Sequence, residues 1–133
     1  TSTLANIIVP GIAEAIKNSA AQVFFVNNLM TKRGQTHGMS AQDLVAEITR
    51  YVGRAPDVTI VHNQHFSADV LDKYAARGEH PIIDDLPTGG TAIVRCDLAS
   101  DTETKQDSGD TLVRSLIRHD ANKLAKTLRE IIA

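Results

Sequence analysis

The run Gln22-Val-Phe-Phe-Val26, followed by Asn27 and Asn28, decides the fold of this chain. Its hydrophobic residues are consecutive rather than alternating, which is typical of a strand buried on both faces of a parallel sheet. A second run, Asp57-Val-Thr-Ile-Val61, has the same character and ends at His62-Asn63. Two such runs, each followed by polar side chains, predict neighbouring parallel strands.

The segments before and after these strands in the sequence show the periodicity of helices. Residues 3–18 carry isoleucine and leucine at helical spacing, and Pro10 should divide this helix because it lacks a backbone N–H. Ser40, with Asp43 three residues later, predicts a capping box at the start of a helix that ends at Gly53. Strands that alternate with helices at this spacing indicate βαβ units.

The second half of the chain continues the pattern. Residues 81–83 and 91–94 are predicted as further short strands, and Leu112, Leu116 and Ile117 as a short helix. Ser67 and Asp120 are predicted N-caps of two more helices. We therefore expect one α/β domain over residues 1–133, with a mostly parallel sheet.

Composition excludes several classes of protein. Aromatic residues make up 4% of the chain, there is no Trp, and the net charge is -2 with both signs interspersed. These features argue against a nucleic-acid partner. No apolar run is long enough to span a membrane. Cys96 is the only cysteine, so no internal disulfide forms and a cytoplasmic location is expected. Because the chain starts at Thr1 and not at a Met, we expect it to be a fragment or a chain trimmed by proteolysis.

Polar residues at the predicted strand ends are the candidate binding residues. In an open α/β sheet, ligands bind beyond the carboxyl ends of the strands, which indicates Asn27, Asn28 and Asn63. In the loop over residues 27–38, Lys32 and Arg33 are suited to neutralising phosphate. A solvated surface loop explains the same composition equally well.

Other polar groups allow two interpretations each. Thr1 and Ser2 can hold an anion at the head of the first helix, although a plain N-cap is the commoner use of such residues. Asp84 and Asp97 can hold magnesium or cap turns, and their spacing does not decide between these roles. His62 and His65 lack the further ligands that a zinc site needs, so we predict no metal site. The chain shows no Ser-His-Asp order, Walker loop or Gly-x-Gly-x-x-Gly motif, so we predict no catalytic residue.

Four segments resemble the CofD/YvcK-like family in sequence and in order. They are Thr1-Ser2-x-x-x-Asn6-Ile-Ile-Val9-Pro10-Gly11, then Asn28-Leu-Met-Thr31-x-x-Gly34-x-Thr36, then the Tyr74, Gly78, Pro81 and Asp84 pattern, and finally Ile117-Arg-His-Asp120-x-x-Lys123-Leu-Ala125. The loop at Lys32, Arg33 and Gln35 is more basic than the usual family pattern. The family's N-terminal glycine-rich strand–loop–helix is not present in the chain.

The resemblance implies the C-terminal portion of a Rossmann-like three-layer domain. It also implies a regulatory protein that binds nucleotide sugars such as UDP-N-acetylglucosamine and is linked to carbon metabolism, cell-wall precursor balance and cell shape. Thr1 and Ser2 would lie by the ligand's phosphates. The cleft would be lined by Asn28, Thr31, Gly34 and Thr36.

Two other functions remain open from the sequence. The related CofD enzymes transfer 2-phospholactate to a deazaflavin with magnesium, so a transferase of this type is one alternative, and only under it would magnesium be required. The second alternative is a fragment that acts as a docking or dimerisation unit. The Asn-Leu-Met-Thr loop favours the binding branch over catalysis. The expected partner is therefore a small-molecule nucleotide or nucleotide sugar, with a homo-oligomer or a separate N-terminal half as further possibilities.

Overall fold

Three parallel strands form the centre of the structure, a computed structural model that describes residues 2–89, 92–104, 109 and 115–133. The strands are β1 (Phe24–Val26), β2 (Val58–His62) and β3 (Ala92–Cys96), and their order in the sheet is β1-β2-β3. Every pairing is parallel: Val26 lies opposite Ile60, and His62 lies opposite Cys96. The carboxyl ends of all three strands therefore reach the same edge of the sheet.

Five helices accompany the strands in the described part of the chain. In chain order they are α1 (Ser2–Ile7), α2 (Ile12–Asn18), α3 (Ala41–Val52), α4 (Ala68–Ala75) and α5 (Ala121–Ile132). Each strand is followed by a helix, as the sequence predicts, and each connection between parallel strands contains one. None of the described helices is long and apolar enough to cross a membrane.

Helices cover both faces of the sheet. One apolar cluster joins Val58 and Ile60 of β2 to Val70 and Tyr74 of α4, and residues of α5 pack against it. On the opposite face, α1, α2 and α3 pack on the sheet through two further clusters that include Phe25, Val61 and Ile93. Successive side chains of each strand point to opposite faces of the sheet. Because helices cover both faces, consecutive hydrophobic residues of a strand all pack against a helix layer. The α/β fold predicted from the sequence is confirmed, with three layers.

The predicted helix ends are also confirmed. The Ser40 hydroxyl accepts a hydrogen bond from the Asp43 N–H, and the Asp43 carboxylate accepts one from the Ser40 N–H. Gly53 ends α3 in the left-handed region at φ 72°, where a side chain would be strained. The Asp120 carboxylate caps α5 by accepting from the N–H groups of Asn122 and Lys123.

Two predicted elements are wrong where the structure describes them. Residues 81–83 are not a strand; Pro81 makes only one isolated antiparallel bridge, to Met30. Leu116 and Ile117 lie in an irregular segment before α5, and Leu112 lies outside the described residues. The Ile117 N–H donates to the Tyr74 hydroxyl at 2.9 Å instead of to a helical carbonyl. Both segments are shaped by tertiary partners that local periodicity does not reveal.

Candidate functional site

Three hollows open around Asn28, directly after β1. Asn28 lines each of them, and its side chain makes no hydrogen bond to a described residue. We name them after one residue each: the Arg118 hollow, the His62 hollow and the Thr36 hollow. Because they share Asn28, a single ligand that extends past this residue can occupy more than one of them.

The Arg118 hollow is the largest, at about 660 Å³. Its polar lining is positively charged or neutral, and no carboxylate contributes to it among the described residues. The Arg118 guanidinium is exposed and makes no hydrogen bond or ion pair within the described part of the chain. The polar residues that line it include Asn28, Thr31, Lys32, Gln35, Arg118 and His119. Such a surface attracts an anion.

Lys32 also lines this hollow, but its charge is already engaged. Its Nζ lies 2.9 Å from the Glu79 carboxylate, whose side chain is only 5% exposed. A buried carboxylate needs such a partner, because an unpaired charge in the interior is costly. Arg33 lines none of the three hollows. The uncompensated positive charge therefore comes from Arg118 and not from the basic loop that the sequence analysis singled out.

The other two hollows are less charged. The Thr36 hollow, about 300 Å³, lies between α1, α3 and the loop after β1, with Thr3, Phe25 and Glu47 among its lining residues. The His62 hollow, about 360 Å³, lies at the end of β2 and is bordered by Asn63, Phe66 and Asp84. Neither has an arginine or lysine in its described lining. These hollows suit uncharged polar groups better than phosphate.

The structure assigns different positions to the residues proposed from the sequence. Asn28, Thr31, Thr36 and Asn63 all line at least one hollow. The Thr31 hydroxyl accepts from the His80 N–H at 2.9 Å, and the Thr36 hydroxyl accepts from the Lys32 N–H at 2.8 Å. Both are buried, so in this conformation the two hydroxyls hold the loop in shape.

Four further proposed residues lie beside the hollows or are not fully described by the structure. Asn27 is fully buried, and its Nδ2 donates to the Ala41 carbonyl at 3.2 Å. Gly34 has φ 76°, which fixes a turn in the loop. Thr1 lies outside the described residues and the side chain of Ser2 is not described, but the next residue, Thr3, lines the Thr36 hollow. The start of α1 thus lies on the same side of the molecule as the loop over residues 27–38.

The two acidic residues considered for magnesium are each paired with a cation. Asp84 accepts from the Arg95 guanidinium through both of its oxygens, at 2.6 and 3.1 Å. Asp97 lies 2.8 Å from the Lys123 Nζ, and this hydrogen bond lowers the pKa of Asp97 below its usual value. Within the described ranges, no group of three metal-ligating side chains comes together.

Two partly buried histidines border the hollows. The His62 Nδ1 accepts from the Leu98 N–H at 3.0 Å, which places the proton of the neutral ring on Nε2. That Nε2 is buried and has no hydrogen-bond partner. His119 Nε2 lies 3.0 Å from the Asn27 carbonyl oxygen. Burial lowers the pKa of both histidines, and the nearby Asp97 charge only partly opposes this for His62.

These lowered pKa values predict that the fold loses stability in mild acid. The unfolded chain takes up protons at its histidines near the usual pKa of about 6.5, whereas folded His62 and His119 resist protonation. The free energy of unfolding should therefore be level above about pH 7.5 and should fall as the pH drops through about 6.5. The free energy of unfolding, measured by urea denaturation from about pH 7.5 to below pH 6.5, tests this prediction.

A pair of variants serves as the control for the pH effect. His62→Asn keeps an oxygen that can accept from the Leu98 N–H but does not titrate, so it should reduce the pH slope. His37→Asn makes the same substitution at an exposed histidine and is measured beside it. Equal slopes for wild type and His62→Asn would show that His62 is not a source of the effect.

With this geometry established, comparison with known proteins identifies the family. The family model described as 2-phospho-L-lactate transferase CofD matches residues 1–99. The chain belongs to the CofD family. A Thermotoga maritima relative is 31% identical over 131 residues, and these residues cover 98% of the chain and 40% of the relative. A Bacillus subtilis protein named gluconeogenesis factor is 26% identical and is covered to 39%.

A solved structure supports the CofD-family fold. The chain superimposes on a member of the UPF0052 family from Bacillus halodurans with a TM-score of 0.77 and 31% identity, over 95% of the chain and 38% of that protein. The CofD-family chain thus spans about two fifths of the length of these relatives. The α/β architecture and the family resemblance expected from the sequence are both confirmed.

The candidate site also includes residues that sequence reasoning did not select. Arg118 and His119 belong to the family-like segment over residues 117–125, and neither is among the binding residues predicted from the sequence. Both follow the described segment that the Tyr74 hydroxyl holds in place, and the available sequence signal was the Arg-His-Asp run before α5. Only the folded chain shows that this run meets the loop after β1.

Proposed function

We propose that this chain forms part of the binding site of a cytoplasmic regulatory protein for a nucleotide sugar resembling UDP-N-acetylglucosamine. The observation that carries the proposal is the unpaired Arg118 guanidinium in a hollow without described carboxylates. An arginine in this setting is suited to bind a phosphate through two parallel N–H···O bonds.

The arrangement of the three hollows supports a ligand with a charged middle and two uncharged ends. A nucleotide sugar has its diphosphate between a nucleoside and a sugar. The Arg118 hollow fits the diphosphate, and the His62 and Thr36 hollows fit the uncharged ends on either side of Asn28. Amide side chains such as Asn28 and Asn63 both donate and accept, which suits sugar hydroxyls and base edges.

The proposed ligand-binding residues remain those named from the sequence, now with distinct roles. Asn28 and Asn63 are proposed to contact the ligand directly. Asn27, Thr31, Gly34 and Thr36 are proposed to hold the loop that carries Asn28 in its binding shape. Thr1 and Ser2 are proposed to approach the ligand from the side of the Thr36 hollow, where Thr3 lies. Arg118 is added as the phosphate ligand.

The names of the relatives connect this site to regulation. Proteins from Bacillus subtilis and Halalkalibacterium halodurans are named gluconeogenesis factor. We extend that role to this protein as a proposal, together with the link to cell-wall precursor balance and cell shape.

A transferase of the 2-phospholactate type is the second candidate, since the matching family model carries that name. It would require a deazaflavin acceptor and magnesium. Asp84 and Asp97, the acids first considered for the metal, hold Arg95 and Lys123 instead. Magnesium-dependent formation of a phospholactyl deazaflavin by the full-length protein would establish this function in place of the regulatory one.

Ligand-dependent thermal stability tests the regulatory proposal. A ligand that binds only the folded state at 100 times its Kd should stabilise the full-length protein by about 2.7 kcal/mol. This corresponds to a rise in Tm of about 5 °C or more. UDP-N-acetylglucosamine should give this shift in differential scanning fluorimetry, whereas N-acetylglucosamine, which lacks the diphosphate, should not. The absence of a shift at millimolar UDP-N-acetylglucosamine would contradict the proposal.

A further inference from the structure

The His119 ring is held in one orientation by the end of β1. Its Nε2 lies 3.0 Å from the carbonyl oxygen of Asn27. A carbonyl oxygen only accepts hydrogen bonds, so Nε2 must carry the proton and donate it. In the neutral ring, Nδ1 is then an acceptor with a free lone pair.

Asn27 is a rigid anchor for this ring. Its backbone N–H donates to the Ile60 carbonyl at 2.9 Å, and its side chain donates to the Ala41 carbonyl. The whole residue is buried. A carbonyl fixed in this way by the sheet and by the start of α3 restricts the direction in which His119 points, so Nδ1 occupies a defined position.

The acceptor at Nδ1 is unused by the part of the protein that the structure describes. No described residue hydrogen-bonds to it, and it is not among the fully enclosed polar atoms without partners. His119 lines the Arg118 hollow together with Arg118, Asn28 and Gln35. The two charged side chains of the described lining, Arg118 and Lys32, have only donors. Nδ1 therefore offers the hollow an acceptor that these cations cannot supply.

We propose that His119 determines ligand specificity by accepting a hydrogen bond from a ligand hydroxyl through Nδ1. The inference rests on the proposed function, because it assigns a contact within the same site. A fully ionised phosphate has no proton to donate to Nδ1, whereas a ribose or sugar hydroxyl does. The hydroxyl next to the diphosphate is the group that reaches His119 when the phosphates lie on Arg118.

Two substitutions separate the two nitrogens of the ring. In His119→Gln, the terminal amide can replace Nε2 as the donor to the Asn27 carbonyl, but the acceptor at the Nδ1 position is lost. In His119→Asn, the amide oxygen takes the Nδ1 position, but the anchor to Asn27 is lost. The glutamine variant therefore tests the proposed contact, and the asparagine variant is its matched control.

Binding by the full-length protein gives the decisive comparison. In isothermal titration, His119→Gln should bind UDP-N-acetylglucosamine about tenfold more weakly than wild type, which is the usual effect of losing one hydrogen bond in a site. Its affinity for pyrophosphate, which lacks the ribose and sugar hydroxyls, should be unchanged. His119→Asn should lose less affinity for the sugar nucleotide than His119→Gln does.

Each contrary result has a distinct meaning. If wild type binds UDP-N-acetylglucosamine and His119→Gln binds it equally well, the His119 contact is wrong and the proposed function stands. An equal loss for pyrophosphate would also overturn the contact, because the ring would then act on the phosphates or on the fold. If wild type binds no nucleotide sugar, both proposals fall together.

A measurement on the unaltered protein avoids any dependence on the folding of variants. With ¹⁵N-labelled histidine, the His119 resonances of the free protein should show the proton on Nε2. UDP-N-acetylglucosamine should shift the Nδ1 resonance in the direction expected for a new hydrogen bond, and pyrophosphate should shift it much less. An Nδ1 resonance that saturating sugar nucleotide leaves in place would overturn the proposal.

Discussion

Replacing Tyr74 with alanine should lower the free energy of unfolding by about 3–5 kcal/mol, as expected for truncation of a large buried aromatic side chain. Tyr74 is 1% exposed and lies in the apolar cluster between α4, α5 and the sheet. Its hydroxyl also accepts from the Ile117 N–H at 2.9 Å. The residue therefore supports both the core and the irregular segment that precedes Arg118.

Tyr74→Phe separates these two contributions. It keeps the ring but leaves the buried Ile117 N–H without an acceptor, which should cost about 1–3 kcal/mol. Tyr51→Phe is the matched control, because Tyr51 is 39% exposed and its hydroxyl supports no backbone group; it should change the stability by less than about 0.5 kcal/mol. Urea denaturation of the three variants and of wild type measures these differences.

Tyr74→Phe should also affect ligand binding. Ile117 directly precedes Arg118 in the chain, so a loosened segment should leave the guanidinium less well positioned. We expect Tyr74→Phe to weaken binding of UDP-N-acetylglucosamine by a few-fold, while Tyr51→Phe leaves it unchanged. If both conservative variants matched wild type in stability and in binding, the hydrogen bond would not position the segment.

Most of the fold was predictable because its signals are local. The consecutive hydrophobic residues of β1 and β2, the capping box at Ser40 and the glycine at position 53 each act within a few residues of the chain. The strand predicted over residues 81–83 is wrong because the structure of this segment depends on a distant part of the chain. The backbone of this segment is satisfied by the loop after β1, for example where the Ile82 N–H donates to the Leu29 carbonyl, and nothing in the local pattern reveals that distant partner.

The site was only partly predictable for the same reason. Asn28 follows a predicted strand, so its place at the sheet edge could be inferred from the sequence. The role of Lys32 could not be inferred, because its partner Glu79 lies far along the chain and only the folded structure shows that this carboxylate is buried against the lysine. The contribution of Arg118 likewise depends on a contact between opposite ends of the chain. A basic loop in a sequence indicates positive charge but does not show which cation is left unpaired.

Replacing Arg118 with alanine should reduce the affinity for UDP-N-acetylglucosamine by about 30-fold. Hydrogen bonds to charged groups contribute about 1.5–3 kcal/mol each, and removing the unpaired cation of the hollow removes this interaction. The fold should be unaffected, since the Arg118 side chain is exposed and has no partner among the described residues, and its carbonyl still accepts from the Ser100 N–H. A ligand concentration that stabilises wild type by about 2.7 kcal/mol should then stabilise the variant by only about 0.9 kcal/mol.

Two controls determine whether the effect arises from a specific contact. Arg118→Lys keeps the charge but loses the planar fork, so its affinity should lie between those of wild type and Arg118→Ala. Arg33→Ala removes an exposed cation of the basic loop that lines none of the three hollows, and it should bind as wild type does. Isothermal titration at two salt concentrations measures all four proteins. If Arg33→Ala lost as much affinity as Arg118→Ala, the general positive field of the loop would be responsible, and Arg118 would not be the phosphate ligand.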